Sequence, residues 1–68
     1  MTVTDIQKAL KDLGFDPGPI DGIRGRRTIR AIKEFQDKNN LVPDGLVGPK
    51  TSAILFKDRD LIRSKDFD

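Results

Sequence analysis

The sequence has no cysteine, no histidine, no tryptophan and no tyrosine among its 68 residues. Without cysteine there is neither a disulfide staple nor a thiolate metal site, and the redox compartment stays open. Without histidine the usual zinc ligand and the usual near-neutral acid/base group are missing together, so no metal and no cofactor is expected. Sugar-binding faces stack pyranose rings on tryptophan or tyrosine, so their absence argues against recognition dominated by stacking. The four phenylalanines are mostly needed for the core.

Glutamate occurs once, as Glu34 on a basic helix face, with no second carboxylate or nucleophile at a useful spacing. The chain therefore reads as no enzyme, with no catalytic residue. No apolar run approaches the 18 or so residues that span a bilayer, which speaks against a membrane partner. Met1 to Asp5 lack the basic and apolar regions of a signal peptide. Work outside the cytoplasm would then use another route, or the chain is a piece of a longer one.

What is present begins with a doubled turn. Residues Asp21, Gly22, Ile23, Arg24, Gly25, Arg26, Arg27 and Thr28 return 23 positions later as Asp44, Gly45, Leu46, Val47, Gly48, Pro49, Lys50 and Thr51. Each copy precedes an apolar-periodic segment, so each reads as a stiff turn that launches a helix. Asp21 and Asp44 are placed to accept bonds from the amides of their own loops. Gly22 and Gly25 are expected in conformations that side chains would hinder. In the second copy Gly48 and Pro49 match an N-cap glycine and an N1 proline, so Gly25 caps the earlier helix by analogy and Thr28 is at N3. Gly22, Gly25, Thr28, Gly45, Gly48 and Thr51 are thus structural turn residues.

Around these turns the periodicity predicts three helices. Thr4 or Asp5 caps the first, over about 5–13, with Ile6, Ala9, Leu10 and Leu13 on one face and Gly14 closing it. Phe15 folds back onto that face. The loop Asp16-Pro17-Gly18-Pro19 is rigid, and Ile20 and Ile23 are expected to anchor the first turn to the core. Helix two covers 26–38 with Ile29, Ile32 and Phe35 inward and the pair Asn39-Asn40 at its end. Leu46 and Val47 repeat the apolar anchors, and helix three runs over 49–56. The fold class is all-α, a compact three-helix bundle with two repeated turn-helix units over residues 1–56. Residues 57–68 read as a tail, a linker or a helix extension through Leu61 and Ile62.

The residues Ile6, Gln7, Leu10, Leu13-Gly14-Phe15, Ile20-Asp21-Gly22, Gly25, Thr28, Ala31, Phe35-Gln36, Leu41, Asp44-Gly45, Gly48, Thr51 and Leu55 closely resemble the type 1 peptidoglycan-binding domain family, a small three-helix module attached to wall hydrolases and phage endolysins. The resemblance covers about residues 4–56. It implies non-catalytic binding of peptidoglycan through its stem peptide, in a shallow groove between helices and the turn. It also implies a fused or associated hydrolase, a monomer, and a place in the cell wall or periplasm, with a phage source open. Arg26 departs from the pattern, standing where the family often has proline.

Between Asp21 and Glu34 stand Arg24, Arg26, Arg27, Arg30 and Lys33 without an acid. Stem peptides carry free carboxylates, and arginine pairs with carboxylate in a bidentate geometry that lysine cannot copy. Arg24 and Arg27 are the first ligand-binding candidates, with Arg30 one helical turn on; a solvated basic face is the simpler reading. Gln36 directly follows core Phe35, so its amide is expected to bond a loop backbone, and Gln7 is a similar case; ligand contact and plain solvation are the alternatives for both, and Asp21 and Asp44 join the candidate contacts. Two other functions compete. A structural or docking module in a phage or secretion apparatus would keep the fold without the ligand. A nucleic-acid-binding domain would use the basic helix, but the proline-rich loop is far from a tight helix connection and the neighbouring aspartates repel a duplex, so no nucleic acid is expected.

Overall fold

The computed structural model describes residues 2–57 as three helices with no strand among them. They are α1 (Val3–Asp12), α2 (Arg26–Lys38) and α3 (Pro49–Leu55). The first starts earlier than its periodicity suggests because Thr2, not Thr4 or Asp5, is the N-cap. The Thr2 hydroxyl accepts from the Asp5 amide at 3.2 Å, and the Asp5 carboxylate accepts from the Thr2 amide at 3.3 Å. This reciprocal capping box satisfies two amides that an α-helix leaves orphaned, and it places Asp5 at N3, inside the helix.

α1 and α2 close in the same way. The amide of Phe15 donates back to the Leu10 carbonyl, and that of Leu41 to the Gln36 carbonyl, each at 2.8 Å. The left-handed residue that this needs is Gly14 (φ 91°) in one case and Asn40 (φ 60°) in the other. α2 has the expected bounds. α3 stops at Leu55, one residue short of the expected end, with Phe56 as its C-cap. An extension through Leu61 and Ile62 lies outside the described residues.

The apolar core is small: Ile6, Ala9, Leu10, Ala31, Ile32, Phe35 and Leu55 are buried, with Phe15, Leu41, Val47, Ile54 and Phe56 packed around them. α1 lies against both α2 and α3. Phe15 does fold back, meeting Phe35 edge to face at 5.7 Å between ring centroids. Other apolar assignments fail. Leu13 is the C-cap of α1 and faces out, Ile20 is exposed, and Ile23 and Leu46 keep 67% and 57% of their surface in solvent. Of the proposed turn anchors only Val47 touches the core. Something other than hydrophobic contact therefore holds the turns, and the buried polar side chains show what it is: Gln7, Thr28, Gln36 and Thr51.

Candidate ligand-binding site

Two glutamines from inside the helices lock the two turns, in the same way each time. The Gln7 amide nitrogen donates to the Ile23 carbonyl at 2.9 Å, the Thr28 hydroxyl at 3.1 Å and the Asp21 carboxylate at 3.3 Å. Its oxygen accepts from the Gly22 amide at 3.0 Å. Gln36 repeats the set one helix later, donating to Leu46, Thr51 and Asp44 at 2.8, 3.1 and 3.0 Å and accepting from Gly45 at 3.0 Å. α1 and α2 thus each carry the glutamine that fixes the start of the next helix. Thr28 also donates to the Pro17 carbonyl at 2.7 Å, tying the proline loop to the first turn.

The aspartates close the turns from outside. Asp21 accepts from the Ile23 amide and Asp44 from the Leu46 amide, both at 2.9 Å, the expected Asx geometry. Those backbone bonds first, and the glutamine amides second, hold both carboxyls below the ordinary aspartate range. Asp16 is lowered too, chiefly by its bond to Arg27 and then by the Gly18 amide. Groups with folded pKa values depressed in this way contribute stability above the unfolded value of about 3.9, and that contribution is lost as pH falls through the folded values. Unfolding midpoints in urea should therefore be level from neutral pH to about 4.5 and fall below about 4. The double variant Asp21→Asn/Asp44→Asn keeps the acceptor oxygens and should show a shallower acid limb; an unchanged limb would exclude these carboxyls as its source.

The glycines divide. Gly22 and Gly45 have φ of 78° and 77°, so the left-handed requirement is real there. Gly25 has an ordinary φ of −87° with open space beside it, so that expectation was too broad.

Around each locked turn lies a shallow groove. The first, about 180 Å³, is lined by Pro17, Pro19, Asp21, Ile23, Gly25, Arg26, Arg27 and Thr28. Arg27 is there, but its guanidinium also meets Asp16 at 2.6 Å. Arg26 was not singled out as a ligand residue, although its place directly after the capping glycine puts it in the groove wall. Arg24 is exposed and does not line this groove, and neither Arg24 nor Arg26 makes an ion pair among the described residues. Arg30 opens into a neighbouring cleft with Asp16, Arg27 and Glu34, and its Nε lies 3.7 Å from Glu34. Gln7 and Gln36 lie beneath the surface, fully buried. Asp44, Gly48 and Thr51 belong to the second groove. Among the described residues no cluster could hold a metal ion, and no helix is long and apolar enough to cross a membrane.

A three-helix frame with locked turns and open grooves is a small binding module. The chain belongs to the peptidoglycan binding domain family, whose profile matches residues 2–55. It is 44% identical over 55 residues to a spore cortex-lytic enzyme of Bacillus cereus, covering 81% of this chain and 21% of that protein. It is 39% identical over 54 residues to the N-acetylmuramoyl-L-alanine amidase CwlM of Mycobacterium tuberculosis, covering 79% and 13%. It is 38% identical over 53 residues to the carboxy-terminal processing protease CtpB of Bacillus subtilis, covering 78% and 11%. The chain thus spans about a fifth or less of the length of these relatives. No solved structure matches it.

Proposed function

We propose that this domain binds the stem peptide of bacterial peptidoglycan without catalysis, and so holds an attached or associated wall hydrolase on its substrate. The observation that carries the reading is the basic wall of the first groove, where Arg26 and Arg27 flank a rigid turn with Arg24 next to them in sequence, in a chain of the peptidoglycan binding family. Arginine in a shallow, partly apolar groove suits a free carboxylate on a short peptide. The affinity of one small site is modest. Arg30 extends the basic edge along α2.

Two further facts favour a targeting role. The similar segment recurs in proteins named for a lytic enzyme, an amidase and a protease, and its company with three differently named activities supports a role common to all of them. The first two names support a working environment at the cell wall or in the periplasm. A monomer suffices, because each groove is formed within one chain. The protease relative, whose name mentions no wall substrate, favours a second reading in which the module docks its protein to another component.

Pull-down by purified sacculi tests the proposal. Arg24→Ala/Arg27→Ala should weaken retention about tenfold, equivalent to about 1.4 kcal/mol, at an unchanged Tm. The Asp16 bridge that is lost is solvent-exposed and contributes little stability. Unchanged retention would remove these arginines from the site. Failure of the wild-type protein to sediment with sacculi from any source would leave the docking reading.

A further inference from the structure

The two arginines in the wall of the first groove are not equivalent. Arg27 already holds a carboxylate, its Nη2 lying 2.6 Å from Oδ2 of Asp16. That contact is built into the proline loop. Oδ1 of Asp16 accepts from the Gly18 amide at 3.1 Å, so the carboxylate is fixed by its own turn. Gly18 has a φ of 81°, and the Arg27 stem runs across it: a Cβ there would lie 3.1 Å from Cβ and 3.4 Å from Cδ of Arg27. The Thr28 hydroxyl, one residue on, donates to the Pro17 carbonyl at 2.7 Å and ties the loop to the start of α2. Asp16 itself does not line the first groove. It lines two neighbouring hollows with Arg27, one shared with Arg30 and Glu34 and the other with Lys11 and Phe15.

Arg26 stands in the same wall and makes no ion pair and no side-chain hydrogen bond among the described residues. The acid of this groove is Asp21, whose Oδ1 is taken by the Ile23 amide at 2.9 Å and the Gln7 amide nitrogen at 3.3 Å. The backbone does not ask for arginine at position 26. Gly25 and Gly48 cap their helices with φ/ψ of −87°/−172° and −91°/−171°, and the residue that follows the second cap is Pro49. Arginine therefore serves no need of this helix start that proline does not meet at the other.

We propose that Arg26 is the principal carboxylate contact of the first groove, and that Asp16 sets the affinity by withholding Arg27 from the ligand. This rests on the stem-peptide reading above. A ligand carboxylate that meets Arg26 forms a charge-assisted pair without breaking one. At Arg27 it must displace Asp16 or share the guanidinium with it. The bridge does not close Arg27 off entirely, because its two side chains are 65% and 73% exposed. A surface pair of this kind shifts an equilibrium by at most about fivefold. Arg27 thus contributes a reduced share, and the reduction is the strength of its bond to Asp16.

Retention by purified sacculi, measured for single variants of the whole chain, tests this. Arg26→Pro copies the second turn and should weaken retention about tenfold, at a Tm no lower than the parent's. Arg26→Ala should show the same loss. Arg27→Ala should weaken retention less, about threefold, and Asp16→Asn, which keeps the acceptor for the Gly18 amide, should tighten it about threefold. With Asp16→Asn in place, Arg27→Ala should then weaken retention about tenfold, a coupling that a merely structural Asp16 would not produce. Arg26 variants that bind as the parent does would overturn the proposal and leave the stem-peptide reading intact. So would an Asp16→Asn variant whose retention is unchanged or weaker, the weaker case making Asp16 a residue that orients Arg27 for the ligand. A parent protein that sacculi do not retain would remove both readings.

Discussion

Gln36→Leu is expected to cost this domain about 3–5 kcal/mol, enough to unfold much of it at room temperature. The side chain is 1% exposed and serves four partners in the second turn. Leucine keeps most of the volume, so the loss is polar. The Gly45 amide and the Thr51 hydroxyl are left buried without the partner they had, each at about 1–3 kcal/mol. A domain of this size has a total stability on the order of 3–8 kcal/mol. Gln7→Leu should follow with a smaller loss, because three of its four bonds are only partly buried. Gln36→Glu sharpens the test: it preserves shape but replaces the donating nitrogen by an acceptor oxygen that faces three oxygens, one of them the Asp44 carboxylate, so at neutral pH it should destabilise at least as much as leucine does. Thermal melts followed by circular dichroism would show Gln36→Leu falling by about 15 °C or more. A change of a few degrees would show that the turn holds itself.

This dependence on glutamine is also where the sequence was hardest to read. The helices were legible because their causes are local: apolar spacing, Gly48-Pro49 at one start, Gly14 and the Asn39-Asn40 pair at two ends. α2 was located to the residue on that basis. The glutamine locks are not local. Gln7 reaches Asp21 across 14 positions and Gln36 reaches Asp44 across only 8, so the repeat that is plain in the turns is broken in the glutamines. Pattern reading then assigned the anchoring to Ile20, Ile23 and Leu46, since branched residues beside a turn usually point inward. Here the interior beneath the turns is already filled by an amide and a threonine hydroxyl, and those side chains are left outside. One local signal did point to them: Gln36 directly follows core Phe35, as Gln7 follows Ile6, and the expected bond from the Gln36 amide to a loop backbone is there, to the Leu46 carbonyl.

The candidate site divides along the same line. Arg27, Asp21 and Thr28 reach the first groove because the turn itself carries them there. The bond from Arg27 to Asp16 spans 11 positions of irregular chain and has no periodicity to announce it. Arg26 was hidden for another reason. In the second copy its place is taken by Pro49, which suggested a purely structural N1 position, whereas in the first copy it is a wall of the groove. A duplicated motif discloses what the two copies share, but the chemistry of each groove lies where they differ.

Gly45→Val should be the most damaging single change in the turns themselves, at about 3 kcal/mol or more, and clearly worse than Gly22→Val. Both glycines have nearly the same positive φ, so the backbone strain of an L-residue, roughly 1–2 kcal/mol, is common to the two. Their surroundings are not. A Cβ on Gly22 would meet only the Thr4 hydroxyl, at 3.0 Å, which can rotate away. A Cβ on Gly45 would lie 3.1 Å from Cγ2 of Ile29 and 3.2 Å from Cε of Lys33. The lysine end can move, but Ile29 is β-branched within a helix and holds a single χ1 well, so the turn must move instead. Moving it pulls the Gly45 amide off Gln36 and loosens the start of α3. Alanine at both positions separates the terms: Gly22→Ala should cost about 1–2 kcal/mol for conformation alone, and the excess at Gly45→Ala measures the contact with Ile29. The variant Ile29→Ala should then reduce that excess, as a double-mutant cycle would show. Equal costs at the two glycines, or no coupling to Ile29, would mean that the second turn is not seated against α2.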